Sequence, residues 1–129
     1  MTRRRPWNPF RKDRPPPAPD WSHVDTPEKA VAAWQRGELV KLLLMPQDFG
    51  GADVPANVVY VPDFVVDVKA GIDMNVIMPM IQRGEIHRYE VEPRYEGRSV
   101  VPGALAIVAS EPGSFQTQIR IWGRALAQG

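Results

Sequence analysis

Residues 57–95, NVVYVPDFVVDVKAGIDMNVIMPMIQRGEIHRYEVEPRY, decide the fold of this chain. They read as strand, long apolar helix, strand. Val58-Val59-Tyr60-Val61 is a β-branched and aromatic run that suits a half-buried pleated surface. Pro62-Asp63 supplies a turn and a helix N-cap, because an Asp carboxylate can accept from the free amides of a first helical turn. From Phe64 to Arg83 apolar residues cover most of the circumference of a helix, which predicts burial on more than one side. One face would lie on a sheet, and the other needs cover from the N-terminal tail or from another chain. Pro79 predicts a kink over Asn75–Pro79, since its ring crowds the preceding turn and offers no N–H. Met74 and Met78 on that kinked half are adaptable apolar side chains, suited to core filling or to a groove for a partner. Gly84 then stands where a helix takes a left-handed cap.

Ile86 to Tyr95 alternates. His87, Tyr89, Val91, Pro93 and Tyr95 share one face, and Arg88, Glu90, Glu92 and Arg94 share the other. The mixed charges predict a solvated ion-pair ladder, and Pro93 places the strand at a sheet edge. Val100-Val101-Pro102 leads into Ala104 to Ala109, small and apolar on both faces, as in a central strand. Glu111-Pro112-Gly113-Ser114 is a turn, and Phe115 to Trp122 alternates again, giving a hairpin with Trp122 on the outer face. Gly123 to Gly129 reads as a frayed end.

Upstream, Thr26-Pro27-Glu28-Lys29 starts a short helix that ends at Gly37, with Trp34 as its packing anchor. Glu38 to Met45 reads as a strand buried on both faces. Residues 46–56 are a loop in which Asp48 and Asp53 lack the alternating ligand register of a calcium site. These elements predict an α+β domain over residues 26–129. Its mainly antiparallel sheet of four to five strands packs against one long apolar helix, with one short N-terminal helix.

Ahead of it lies a basic, proline-rich tail, residues 1–25, expected to be disordered. Pro6, Pro9, Pro15, Pro16, Pro17 and Pro19 deny it helix and sheet ladders, and Pro15-Pro16-Pro17 favours polyproline II. Arg3, Arg4, Arg5, Arg11, Lys12 and Arg14 against Asp13 give residues 1–14 a charge of +5, while the remaining chain carries −4. Such a tail can meet nucleic-acid phosphates, anionic membrane or a protein partner.

The composition is that of an ordinary globular protein, 43% hydrophobic and 24% charged over 129 residues. With no cysteine, thiol nucleophiles and thiolate zinc sites are excluded. No apolar run reaches the length of a membrane span and no signal-peptide core follows the basic N-terminus, so a cytoplasmic protein is expected. No motif points to a cofactor or a metal. His23 and His87 stand in unrelated contexts, and the serines fit no nucleophile elbow.

The leading expectation is therefore a non-enzymatic protein-interaction module: an adaptor, an inhibitor or a self-associating subunit, with His87, Tyr89, Tyr95, Met74 and Met78 as partner-binding candidates. The alternatives are electrostatic binding of nucleic acid or anionic membrane through the tail, and a small-molecule enzyme around His87, Tyr89 and Glu90.

Overall fold

Local chemistry sets the first element. The Thr26 hydroxyl accepts from the Lys29 N–H at 3.1 Å, and Pro27 fills the first helical position, where no N–H is needed. The computed structural model describes residues 19–127. In order, these form α1 (Pro27–Gln35), β1 (Val40–Leu43), β2 (Val58–Val61), α2 (Phe64–Ile72), a π-helical turn (Asp73–Ile77), α3 (Met78–Gln82), β3 (Ile86–Tyr95), β4 (Pro102–Pro112), β5 (Ser114–Arg120) and α4 (Arg124–Ala127). Short 3-10 turns at Gln47–Phe49 and Pro55–Asn57 shape the loop between β1 and β2.

The class is α+β, but the expected single sheet of four to five strands does not form. β1 and β2 make a two-stranded antiparallel ribbon, and β3, β4 and β5 make a separate three-stranded antiparallel sheet. The loop returns β1 onto β2 at once, and β2 leads straight into α2, so neither strand meets the later three edge to edge. The ribbon and the sheet instead share a core. Leu42, Val59 and Val61 from the ribbon join Val65 from α2 and Leu105, Ile107 and Ile119 from the sheet. β1 is accordingly no doubly buried strand; only Leu42 of its four residues is buried.

The helical run is also not the all-round apolar helix expected. Its inner side carries Val65, Lys69, Asp73 and Ile77, while Phe64, Val68, Met74 and Ile81 are exposed. Two polar side chains, one turn apart, occupy positions that an apolar count passes over. The interruption comes as the π turn, in which the Met78 N–H donates to the Asp73 carbonyl. That wider turn ends just before Pro79, where an ordinary turn would need an N–H that proline lacks. Asp63 stands at the N-cap but its side chain makes no capping bond.

Three other expectations are corrected. Trp34 is 40% exposed, with Tyr60 5.7 Å away and the Lys41 ammonium 5.6 Å above its ring, so it lies on the surface. Trp122 is buried and donates to the Val101 carbonyl at 3.0 Å. Arg124–Ala127 is helical rather than frayed, because Glu96 accepts from the Arg124 N–H at 2.6 Å and from its guanidinium at 2.9 Å.

Residues N-terminal to Thr26 enter the domain. Val24 is buried, and its carbonyl accepts from the Val100 N–H at 2.8 Å. The Ser99 hydroxyl lies 2.7 Å from the Trp21 carbonyl and accepts from the Val101 N–H at 3.0 Å. No helix among the described residues is long and apolar enough to cross a membrane.

Candidate functional site

The least expected feature is polar and buried. Lys69 and Asp73 lie one helical turn apart on the inner side of the run and are 2% and 3% exposed. The Lys69 ammonium donates to Asp73 Oδ2 at 2.6 Å and to the Tyr89 hydroxyl at 3.1 Å. The Tyr89 hydroxyl donates to Asp73 Oδ1 at 2.6 Å, closing a ring. Phe49 meets the Tyr89 ring edge-on at 5.3 Å. Burial pushes the Lys69 amine below its usual range, and its bond to Asp73 opposes the shift. Burial and the bond to Asp73 push the Tyr89 phenol above its usual range. The three groups satisfy one another, so what the ring does is fix α2, the π turn and β3 in one arrangement.

Above this ring runs a trench between α2 and β1. A cleft of about 370 Å³ lies among Leu42, Leu43, Asp48, Lys69, Asp73 and Met74. A second cleft, among Val40, Asp63, Phe64 and Asp67, adjoins it, and Lys41 and Val66 line both. The Leu44 N–H donates to the Asn57 carbonyl at 2.9 Å, and this sets which peptide groups of β1 face β2. Leu42 opposite Val59 and Val40 opposite Val61 are then the hydrogen-bonded pairs. The N–H and C=O groups of Lys41 and Leu43 turn the other way, to the free edge of β1, and no described residue bonds to them there. Asp48, Asp63 and Asp67 rim the trench, and none is in an ion pair among the described residues. Lys41 is held by Asp53 at 2.8 Å.

The structure scatters the residues singled out from the sequence. Met74 is exposed at one end of the trench, and Met78 is half-buried on α3. Tyr89 belongs to the buried ring. His87 is exposed, and the Glu90 carboxylate pairs with Arg88 at 3.0 Å on the opposite side of β3, so His87, Tyr89 and Glu90 do not converge. Tyr95 follows a register shift after Arg94 and is 53% exposed, away from the trench. Arg3, Arg4, Arg5, Arg11, Lys12 and Arg14 lie outside the described residues. Among the described residues no three His, Asp or Glu side chains converge as metal ligands.

Lys69, Asp73 and the edge of β1 are the parts that sequence reasoning missed. The i, i+4 spacing of Lys69 and Asp73 inside an apolar run was the available signal. Nothing local pointed to Tyr89 as their partner or to β1 as an edge. No protein-family model matches the chain, and neither a curated protein nor a solved structure matches it.

Proposed function

We propose that this domain is a protein-interaction module that takes an extended, basic segment of a partner protein onto the free edge of β1. The observation that carries the proposal is the pair of outward-turned peptide units at Lys41 and Leu43, facing a trench walled by α2. An added strand would satisfy those groups and place alternate side chains against Phe64, Val66 and Met74. Asp48, Asp63 and Asp67 favour lysine or arginine on the incoming segment. The same carboxylates disfavour pairing of β1 with β1 of a second copy, which would bring like charges together. The polar groups closest to a catalytic cluster are engaged with each other, which supports binding over chemistry. The tail's charge of +5 supports a separate proposal, contact with nucleic acid or anionic membrane, whose signature is steep weakening with salt.

The β1 reading is tested by titrating the ¹⁵N-labelled chain with a ten-residue peptide alternating lysine and valine, and with its glutamate–valine counterpart. The expected result is perturbation of the Lys41, Leu43 and Met74 amides by the basic peptide alone, weakening as salt rises. Leu43→Pro removes an outward N–H without removing a bond to β2, so it abolishes binding and leaves the fold intact. Equal binding of both peptides, undiminished binding to Leu43→Pro, or no binding at all overturns the reading.

A further inference from the structure

A second groove lies on the other side of the ribbon, between α1, β2 and the C-terminal end of β3. It encloses about 520 Å³, and its walls include Pro27, Val31, Val58, Tyr60, Tyr95 and Val100. Trp34 extends the aromatic rim, tilted against Tyr60 at 5.7 Å. The Lys41–Asp53 ion pair stands at the edge and is closed on itself. The groove is thus apolar and aromatic, with the phenolic tips of Tyr60 and Tyr95 as hydrogen-bond donors. Tyr95 lines it beside the register shift after Arg94, where Gly103 of β4 has no partner on β3.

A ligand suited to this surface has flat apolar sides, exposed carbonyl acceptors and few N–H donors. A polyproline II segment has these properties, since its backbone makes no internal hydrogen bonds and proline carries no N–H. The sequence contains a run of matching composition, Pro15-Pro16-Pro17-Ala18-Pro19, and the described residues begin at its last residue. Five residues further on, the Val24 carbonyl is bonded to the N–H of Val100, which lines the groove. That stretch turns at Ser22-His23, where the Val24 N–H donates to the Trp21 carbonyl at 3.0 Å, and the same carbonyl lies 2.7 Å from the Ser99 hydroxyl, so the chain is held next to Val100 only two residues after Pro19.

We infer that this groove is a polyproline-recognition site whose occupant is the chain's own Pro15-Pro16-Pro17 run. It is separate from the β1 edge, sharing only the Lys41 side chain.

The test compares the full chain with its Pro15→Ala/Pro16→Ala/Pro17→Ala variant by ¹⁵N NMR, then titrates both with a synthetic peptide of residues 9–19. The variant changes no residue of the folded core, so its spectrum stays dispersed. The expected result is a set of amide shifts at Val31, Tyr60 and Tyr95 between the two proteins, with the peptide binding the variant at least about tenfold more tightly. Tyr95→Ala in the variant background weakens that binding. Unchanged groove amides, equal peptide binding to both proteins, or shifts at residues other than those of the groove overturn the inference. The lysine–valine titration reads Leu43 and Met74 instead, so either site can fail without the other.

Discussion

The edges presented by β1 and β3 are built to opposite ends. β3 is ten residues long and carries Arg88, Glu90, Glu92 and Arg94 along its outer face. Arg88 pairs with Glu90 at 3.0 Å and with Glu111 at 3.3 Å, and Arg94 with Glu92 at 3.5 Å. Pro93 contributes no N–H, and the register shifts before Tyr95. These are the means by which sheet proteins keep an edge from recruiting another strand. β1 has fewer of them: it is only four residues long, with a single charge and no register shift. It reads Val40-Lys41-Leu42-Leu43, without proline, and its one charge is held by Asp53. Beside β1 stands the trench wall of α2, with Val66, Lys69 and Asp73 lining the cleft. The contrast between a long, charged edge on one sheet and a short, recessed edge on the other is what the proposed strand addition to β1 rests on.

The comparison breaks most severely at the floor of the trench. Lys69→Ala leaves the Asp73 carboxylate buried with only Tyr89 as partner, and is expected to cost about 3–5 kcal/mol. Urea unfolding measures this, and a loss below about 1 kcal/mol would mean that the ring does not hold α2 against β3.

Asn57→Ala comes next. The Asn57 side chain accepts from the Met45 N–H at 2.8 Å and donates to the Met45 and Ala52 carbonyls at 2.9 and 3.0 Å, tying the loop that leaves β1. Losing these bonds is expected to cost about 2 kcal/mol and to raise amide exchange in β1 well before β3. Uniform acceleration across both strands would count against a locally held ribbon.

Tyr89→Phe is milder, about 1–1.5 kcal/mol at neutral pH, because Lys69 and Asp73 keep each other. Its value lies in the alkaline range. The folded Tyr89 phenol holds its proton above the usual value of 10.0 while the unfolded chain releases it, so stability from this group is complete below pH 10 and falls as pH rises beyond it. Lys69 acts in the opposite sense, since its folded amine binds protons less readily than the usual 10.5 and its unfavourable contribution fades on alkalinisation. Both proteins carry Lys69, so the stability gap between wild type and Tyr89→Phe should narrow above pH 10. A gap that stays constant there would remove Tyr89 from the buried ring.

The smallest stability effect belongs to the defended edge. Arg88→Ala breaks surface ion pairs whose side chains are well exposed, so urea unfolding should show little change in stability. The informative readout is solution mass. Replacing Arg88, Glu90, Glu92 and Arg94 by threonine should make β3 self-associate, as light scattering would show. A monomer at high concentration would mean that the charges are not what keeps this edge single.

Much of this architecture was written locally. Thr26-Pro27 starts α1, and Gly84 follows α3 with φ at +71°. The alternation of residues 86–95 defines both the strand and its charged face. The β4–β5 hairpin follows from its turn residues. Capping, alternation and turn chemistry each involve groups within a few residues of one another, so they survive the absence of any tertiary information. The same local reading mistook the long helical run, because counting apolar side chains cannot show which of them a neighbouring element covers. Phe64 and Val68 look like core and are exposed; Lys69 and Asp73 look like surface and are buried.

By itself, then, the sequence determined the α+β class, the principal elements, the charged edge of β3 and the division between a basic N-terminus and an acidic body. Only the tertiary structure decided that five strands divide into a ribbon and a sheet, that Tyr89 closes on Lys69 and Asp73, and that β1 keeps a free edge above them. The reason is range. Strand partnership, and the burial of a charge against a distant phenol, depend on which segments meet in space, and no periodicity within one segment encodes its neighbour.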